Sequence, residues 1–345
     1  METTQVGLGL LLGIIAGAFL GTFPLPMKRT GKWNWEQTWF IFTVWSAMIF
    51  PWILAFMTVP NLLSVFSAVS VSTILTVFGF GAGWGIASIG MGVGIKTLGI
   101  SLGTAIVLGL NNVLGAILPL IMYHQEKFLQ PVGLAVTGGV CVMLIGIVIC
   151  AVAGAKKDKA AQNTNDSSSK KHTAEFVKGL VMCLIAGVCG AMFNFALIAG
   201  KSIENVAVKM GASPINAANP TWCIGLFGGG IVVSLYCFYL AKTNKSWNLF
   251  RQSGTSIYWF YTFLMGVMWF SGVALYGMAV TKLGVLGASI GWPIIQSMAV
   301  ASGNFWGIVT GEWKNTGKKP LQTMLFGLLF LFIGIVIIGW SSTLS

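Results

Sequence analysis

Residues 37–95 read QTWFIFTVWSAMIFPWILAFMTVPNLLSVFSAVSVSTILTVFGFGAGWGIASIGMGVGI, without a single Lys, Arg, Asp or Glu. A helix needs about 20 apolar residues to cross a bilayer, so this stretch holds enough for two crossings. Pro60-Asn61, with Ser64, Ser67, Ser70 and Ser72 close by, marks the division between them. Eight more charge-free runs, each long enough for one crossing, cover 3–27, 97–125, 128–155, 179–200, 210–241, 252–281, 283–311 and 320–345. The expectation is an all-α membrane protein with ten transmembrane helices. They fall near 6–26, 38–58, 71–95, 98–122, 131–152, 178–200, 217–240, 256–280, 284–308 and 321–341.

Composition agrees. The chain of 345 residues is 56% hydrophobic and 8% charged, against roughly 25% charged in a soluble domain. That rules out a disordered chain, a collagen and a secreted disulfide scaffold. The alternating ten-residue pattern of an outer-membrane barrel is absent. The N-terminal run lacks a basic flank and is too long for a signal peptide, so it reads as the first span. All six Cys (141, 150, 183, 189, 223 and 237) fall inside spans, with no metal-ligand or disulfide spacing.

The net charge of +12 could suggest a nucleic-acid partner, but its distribution gives another cause. With the first span running inward, the cytoplasmic loops hold 16 of the 20 Lys and Arg. The opposite side holds only Lys127, Lys201, Lys209 and Lys282. The positive-inside rule then puts both termini outside the cytoplasm, and no polyanion is needed.

A Lys/Ser/Asn-rich stretch at 156–172 reads as a cytoplasmic linker between two groups of five spans. The expected organisation is 1–155 as one five-helix repeat, 156–175 as the linker and 176–345 as the second repeat. At an offset of 170, Gly9-Leu10 falls on Gly179-Leu180, Ile15-Ala16-Gly17 on Ile185-Ala186-Gly187, and Phe23 on Phe193. At 185, Gly81 falls on Gly266, Trp84 on Trp269, Gly92 on Gly277, Leu98-Gly99 on Leu283-Gly284, and Asn111 on Gln296. Five is odd, so the halves are inverted. Inverted repeats with the ligand held between them near the midplane are the plan of alternating-access carriers.

Several motifs resemble the L-rhamnose–proton symporter family of the drug/metabolite transporter superfamily. They are Lys28, Lys32-Trp33-Asn34-Trp35-Glu36 with Trp39, Pro51-Trp52, Gly83-Trp84-Gly85-Ile86, and Gly311-Glu312-Trp313-Lys314-Asn315-Thr316-Gly317-Lys318-Lys319-Pro320. The resemblance runs along most of the chain. It implies ten spans in two repeats and a bacterial inner-membrane carrier that takes up L-rhamnose or a related deoxyhexose with protons. Some members carry an acidic residue early in the ninth span, where this chain reads Gly287-Ala288-Ser289.

A neutral sugar is held by amides and hydroxyls, with aromatic rings against its apolar face. The amides deep in spans are Asn111, Asn112, Asn194, Gln296 and Asn304. The alternative for each is an interhelical hydrogen bond that only holds the bundle together; depth and repeat position favour Asn111 and Gln296 as binding groups. Trp84, Trp269 and Trp292 are candidate stacking faces. Trp39, Trp222, Trp313 and Trp340, at span ends, read as interfacial anchors. Pro24, Pro51, Pro119 and Pro293 are expected to bend or break helices beside a cavity.

No span interior holds an Asp or Glu. The groups that could carry a proton are Glu36, Glu312 and His124, then Glu126, Glu204 and Lys282. The alternative for each is a loop charge, with Lys32 or Lys314 as partners for the two motif glutamates. Gly79, Gly81, Gly83 and Gly85 lie in an apolar span without the strand-turn-helix context of a nucleotide loop. No catalytic triad or metal cluster is visible, so neither enzyme activity, a cofactor nor a metal is expected. Three readings remain open: the proton-coupled sugar carrier, a carrier or exporter of another small metabolite, and a non-transporting sensor or membrane enzyme. Monomer and homodimer are both open.

Overall fold

A computed structural model describes residues 2–98, 100–161, 172–314, 317–342 and 344. They are mostly helical, with no β-strand among the described residues. In hydrocarbon each backbone N–H and C=O must be paired within the protein, and a helix does this inside one segment. The long helices are α1 (Glu2–Thr22), α2 (Trp35–Thr58), α3 (Val71–Leu98), α4 (Ile100–Tyr123), α5 (Pro131–Ala161), α6 (His172–Ala199), α7 (Asn219–Thr243), α8 (Ser256–Leu283), α9 (Gly287–Val309) and α10 (Lys318–Ser341).

By length and hydropathy, nine segments among the described residues can cross a membrane. This is a multi-pass membrane protein. The longest segment, Ser256–Val309, contains both α8 and α9. It is divided at Gly284, whose φ of +77° only glycine adopts without strain. Most of the expected linker, residues 162–171, lies outside the described residues, as do Asn315-Thr316 of the second tryptophan motif and Ser345.

Proline placement shapes two of the helices locally. Pro51 has no N–H to give and would crowd the carbonyl four residues back; the turn before it, Val44–Ile49, is π-helical, and the Phe50 N–H bonds back to the Trp45 carbonyl. Pro119 and Pro293 sit inside α4 and α9. Pro24 instead stands between α1 and the 3-10 turn Leu25–Arg29.

Packing follows small residues. α1 lies along α8 and α9, while α6 lies along α3 and α4. α5 packs on α10, α2 on α7 and α4 on α9; α7 also lies along α3, and α8 along α2. Lipid tails are as apolar as leucine, so helices associate through close backbone approach rather than exclusion of water. Gly139 and Gly146 of α5 meet Gly334 and Gly327 of α10 in this way. Leu11, Ile15, Met57, Leu75, Leu134, Leu235, Leu329 and Val336 remain exposed, as a lipid-facing wall requires.

Candidate functional site

The buried centre is aromatic. Trp84 of α3 stacks on Trp269 of α8, with centroids 5.4 Å apart and planes 24° from parallel. Phe193 of α6 joins the cluster together: its ring is 5.3 Å from Trp84, 5.7 Å from Trp292 and 5.1 Å from Trp222. Aromatic pairs in such geometry contribute about 0.5–1.5 kcal/mol each beyond their buried area. Of the three expected stacking residues, Trp84, Trp269 and Trp292 all meet here.

The amides divide. Asn194, beside Phe193, is fully buried and committed: its Nδ2 donates to the Gly115 carbonyl at 2.7 Å and the Ala288 carbonyl at 3.3 Å, and its Oδ1 accepts from the Tyr276 hydroxyl. It thereby ties α6 to α4, α8 and α9. The Asn304 amide donates to Val300 of its own helix. Asn111 differs. The Trp292 Nε1 donates to its backbone carbonyl at 3.1 Å, leaving its buried Oδ1 without a partner. Asn112 is wholly buried, with neither side-chain atom paired. Each orphaned buried polar group costs about 1–3 kcal/mol. Gln296 is half-buried, one turn beyond Trp292 on α9.

Two tryptophans read as interfacial anchors belong to this centre instead. Trp222 is 1% exposed, and Trp39 packs on Phe42 and Phe23. Their span-end positions in the sequence hid this, because a position near a helix end does not say whether the ring packs against other helices. Trp340, 58% exposed, does face outward at a helix end. Phe193 and Tyr276 were not singled out in the sequence. Phe193 had one usable signal, its match to Phe23 at an offset of 170.

The titratable candidates occupy different settings. Glu36 is buried and meets no cation among the described residues. Its Oε1 accepts from Ser246 Oγ at 2.7 Å, Asn244 Nδ2 at 3.0 Å and Asn34 Nδ2 at 3.4 Å. Ser246 Oγ in turn accepts from Gln37 Nε2 at 2.8 Å, which points the hydroxyl proton at Glu36. The bonds run from the start of α2 to the α7–α8 connection. Lys32, the partner considered from sequence, instead donates to the Ser253 carbonyl. His124 lies 3.9 Å from Glu126, and buried Glu204 pairs with Lys201 at 2.8 Å.

Glu312 is a paired surface charge. Lys28 and Lys157 both reach it, the second at 3.2 Å; Lys314 does not pair with it. The Lys28 hydrogen bond, against some desolvation and with help from Lys157, holds its carboxyl below the ordinary value of 4.5. A depressed carboxylate stabilises the folded state above its unfolded pKa, and that contribution is lost as pH falls through the folded value. Because the pair is solvent-exposed, Glu312→Gln should cost no more than about 1 kcal/mol at pH 7. Thermal unfolding of variant and wild type should converge as the pH is taken below 4.5; a gap that persists would mean a role other than ion pairing.

Comparison with known proteins bears on this geometry. The family model for the L-rhamnose-proton symport protein matches residues 2–343. The L-rhamnose-proton symporter of Yersinia pestis (strain Pestoides F) is 29% identical over 341 residues, covering 96% of this chain and 97% of its own. The L-rhamnose-proton symporter of Escherichia coli O17:K52:H18 is 29% identical over 347 residues, covering 98% of each. With the match running almost from end to end across the helices that carry the aromatic centre, the chain belongs to the L-rhamnose-proton symport protein family.

Proposed function

We propose that this protein takes up L-rhamnose or a related deoxyhexose together with protons by alternating access across a bacterial inner membrane. Family membership over residues 2–343 carries this reading. The test is uptake of labelled L-rhamnose into proteoliposomes under an imposed proton gradient. Accumulation that an uncoupler abolishes is the expected result; uptake indifferent to the uncoupler removes the proton, and no uptake removes the sugar.

The architecture proposed is ten spans in two inverted five-helix repeats, 1–155 and 176–345, joined by a cytoplasmic linker at 156–175. Both termini lie outside, as the 16-to-4 distribution of Lys and Arg requires. Exchanged packing partners support this: α1 on α8 and α9 corresponds to α6 on α3 and α4. Residue-level contacts repeat in the same way. A Cβ at Gly9 would meet Leu283 and one at Gly179 would meet Leu98; Gly17 faces Ile295 and Gly187 faces Leu110. Each glycine pair is related by the 170 offset and each partner pair by 185. Trp84 and Trp269, also 185 apart, stack on each other as a pair on a two-fold axis does.

The sugar's apolar face stacks on Trp84, Trp269 and Trp292, and its hydroxyls bond to Asn111, Asn112 and Gln296. Asn194, whose amide is already committed, ties α6 to α4, α8 and α9, while the Asn304 amide is spent within its own helix. Asn111→Ala and Gln296→Ala should each lower rhamnose affinity about 2- to 13-fold, the value of one neutral hydrogen bond, without loss of membrane insertion. Wild-type affinity in both variants, measured by calorimetry, would put the binding groups elsewhere. Glu36 is the proposed proton carrier. It combines burial with the absence of a neighbouring cation among the described residues, whereas Glu312 is held by two lysines and His124 stands beside Glu126.

A further inference from the structure

The aromatic centre contains one polar atom the proposed site has not used. The Trp222 indole Nε1 is buried and has no acceptor among the described residues. An indole nitrogen only donates, and in a membrane interior no solvent can pair with it. Its surroundings offer nothing in exchange. Phe193 lies against it at 5.1 Å and 29°, and the Tyr276 ring is 6.3 Å away with its hydroxyl already given to Asn194. Most other buried side-chain donors of the cluster are satisfied: Trp292 by the Asn111 carbonyl, Asn194 by two carbonyls. The Trp222 N–H has no such partner among the described residues.

The space beside this N–H is specific. A Cβ at Gly277 of α8 would stand 2.8 Å from Nε1 and 2.9 Å from the Ala218 Cβ, so only glycine keeps a side chain off the N–H. Through Phe193, Trp222 is one ring away from both Trp84 and Trp292, and Trp292 leads on to Asn111. The unpaired donor therefore shares a cluster with the unpaired amides on α4. A polyhydroxylated ligand with an apolar face needs this combination of rings, acceptors and one donor-only group.

We infer that Trp222 is a specificity-determining residue of the sugar site, its indole N–H donating to one hydroxyl oxygen of the deoxyhexose while Phe193 lies against the apolar face. This rests on the sugar-carrier reading above. The N–H is covered in this conformation, so the contact belongs to the loaded state. The assignment selects by position: only a sugar with an oxygen at the matching carbon satisfies the donor.

The experiment is calorimetry on the full chain in detergent with L-rhamnose and its monodeoxy analogues, comparing wild type with Trp222→Phe. Phenylalanine keeps a ring and removes the donor. Rhamnose affinity should fall about 2- to 13-fold, and one monodeoxy analogue should bind both proteins equally. Unchanged rhamnose affinity, or an equal loss across all the sugars as from a merely smaller ring, overturns the assignment. If Trp222→Phe does not fold, Gly277→Ala repeats the test, since its methyl crowds the N–H: rhamnose should weaken while the same analogue does not, and equal losses again overturn it. Should wild type bind none of these sugars, the carrier reading fails and this assignment with it. Should wild type bind rhamnose and neither variant discriminate, only Trp222 is removed.

Discussion

Gly81→Ala is expected to prevent assembly of the folded bundle, whereas Gly79→Ala, two residues away on the same helix, leaves it intact. A Cβ on Gly81 would lie 1.7 Å from the Gly225 carbonyl oxygen and 2.9 Å from the Gly225 Cα. Both are backbone atoms of α7, so no side-chain rotation relieves the overlap and the two helix backbones must move apart. Close backbone approach is what holds such helices together in lipid, and the seam is repeated one turn on, where Gly85 meets the Gly229 carbonyl. The cost should exceed about 4 kcal/mol, the range reserved for disrupted cores. Gly79 has nothing within 4 Å, and alanine there should gain up to about 1 kcal/mol of helix propensity. Size-exclusion profiles and thermal unfolding of the two variants in detergent decide the matter. A monodisperse Gly81→Ala protein with wild-type unfolding would show that the α3–α7 seam does not hold the bundle.

Glu36→Gln should abolish accumulation of sugar while leaving exchange of sugar across the membrane. The three donors around Glu36 all converge on Oε1, and glutamine keeps one oxygen to receive them. What it loses is the second oxygen that could take and release a proton. One charge moved with the sugar down 100 mV supplies about 2.3 kcal/mol, enough for roughly 50-fold accumulation. The variant should fall to a ratio of about 1, with counterflow of labelled sugar little changed. Glu312→Gln serves as the comparison, because Lys28 and Lys157 already neutralise that carboxylate. Uncoupler-sensitive accumulation by Glu36→Gln would reduce the Glu36–Ser246–Asn244 cluster to a clasp between α2 and the α7–α8 connection.

Charge-free runs long enough to cross a bilayer fixed most helix positions before any coordinates, because in lipid the backbone has almost no alternative to a helix. The first span was expected at 6–26, and α1 ends at Thr22 with a 3-10 turn after Pro24. The matched registers, Gly9 with Gly179 and Trp84 with Trp269, were legible too, since they are comparisons within one string. Which face of a helix points inward was not. The spans are apolar on every side, so periodicity gives no direction when both lipid and protein interior favour the same residues. That is why Trp222 read as an anchor and Phe193 as unremarkable, although the two rings meet at the centre. It is also why only depth and repeat position, which favour Asn111 and Gln296, rank the five deep amides in the sequence. Packing separates them: Asn194 is spent on Gly115, Ala288 and Tyr276 and Asn304 on its own helix, while Asn111 and Asn112 keep unpaired atoms. Length and hydropathy alone determined that this chain is a multi-pass membrane protein. The free or committed state of each polar group depends on which helices meet, and that only the tertiary structure decided.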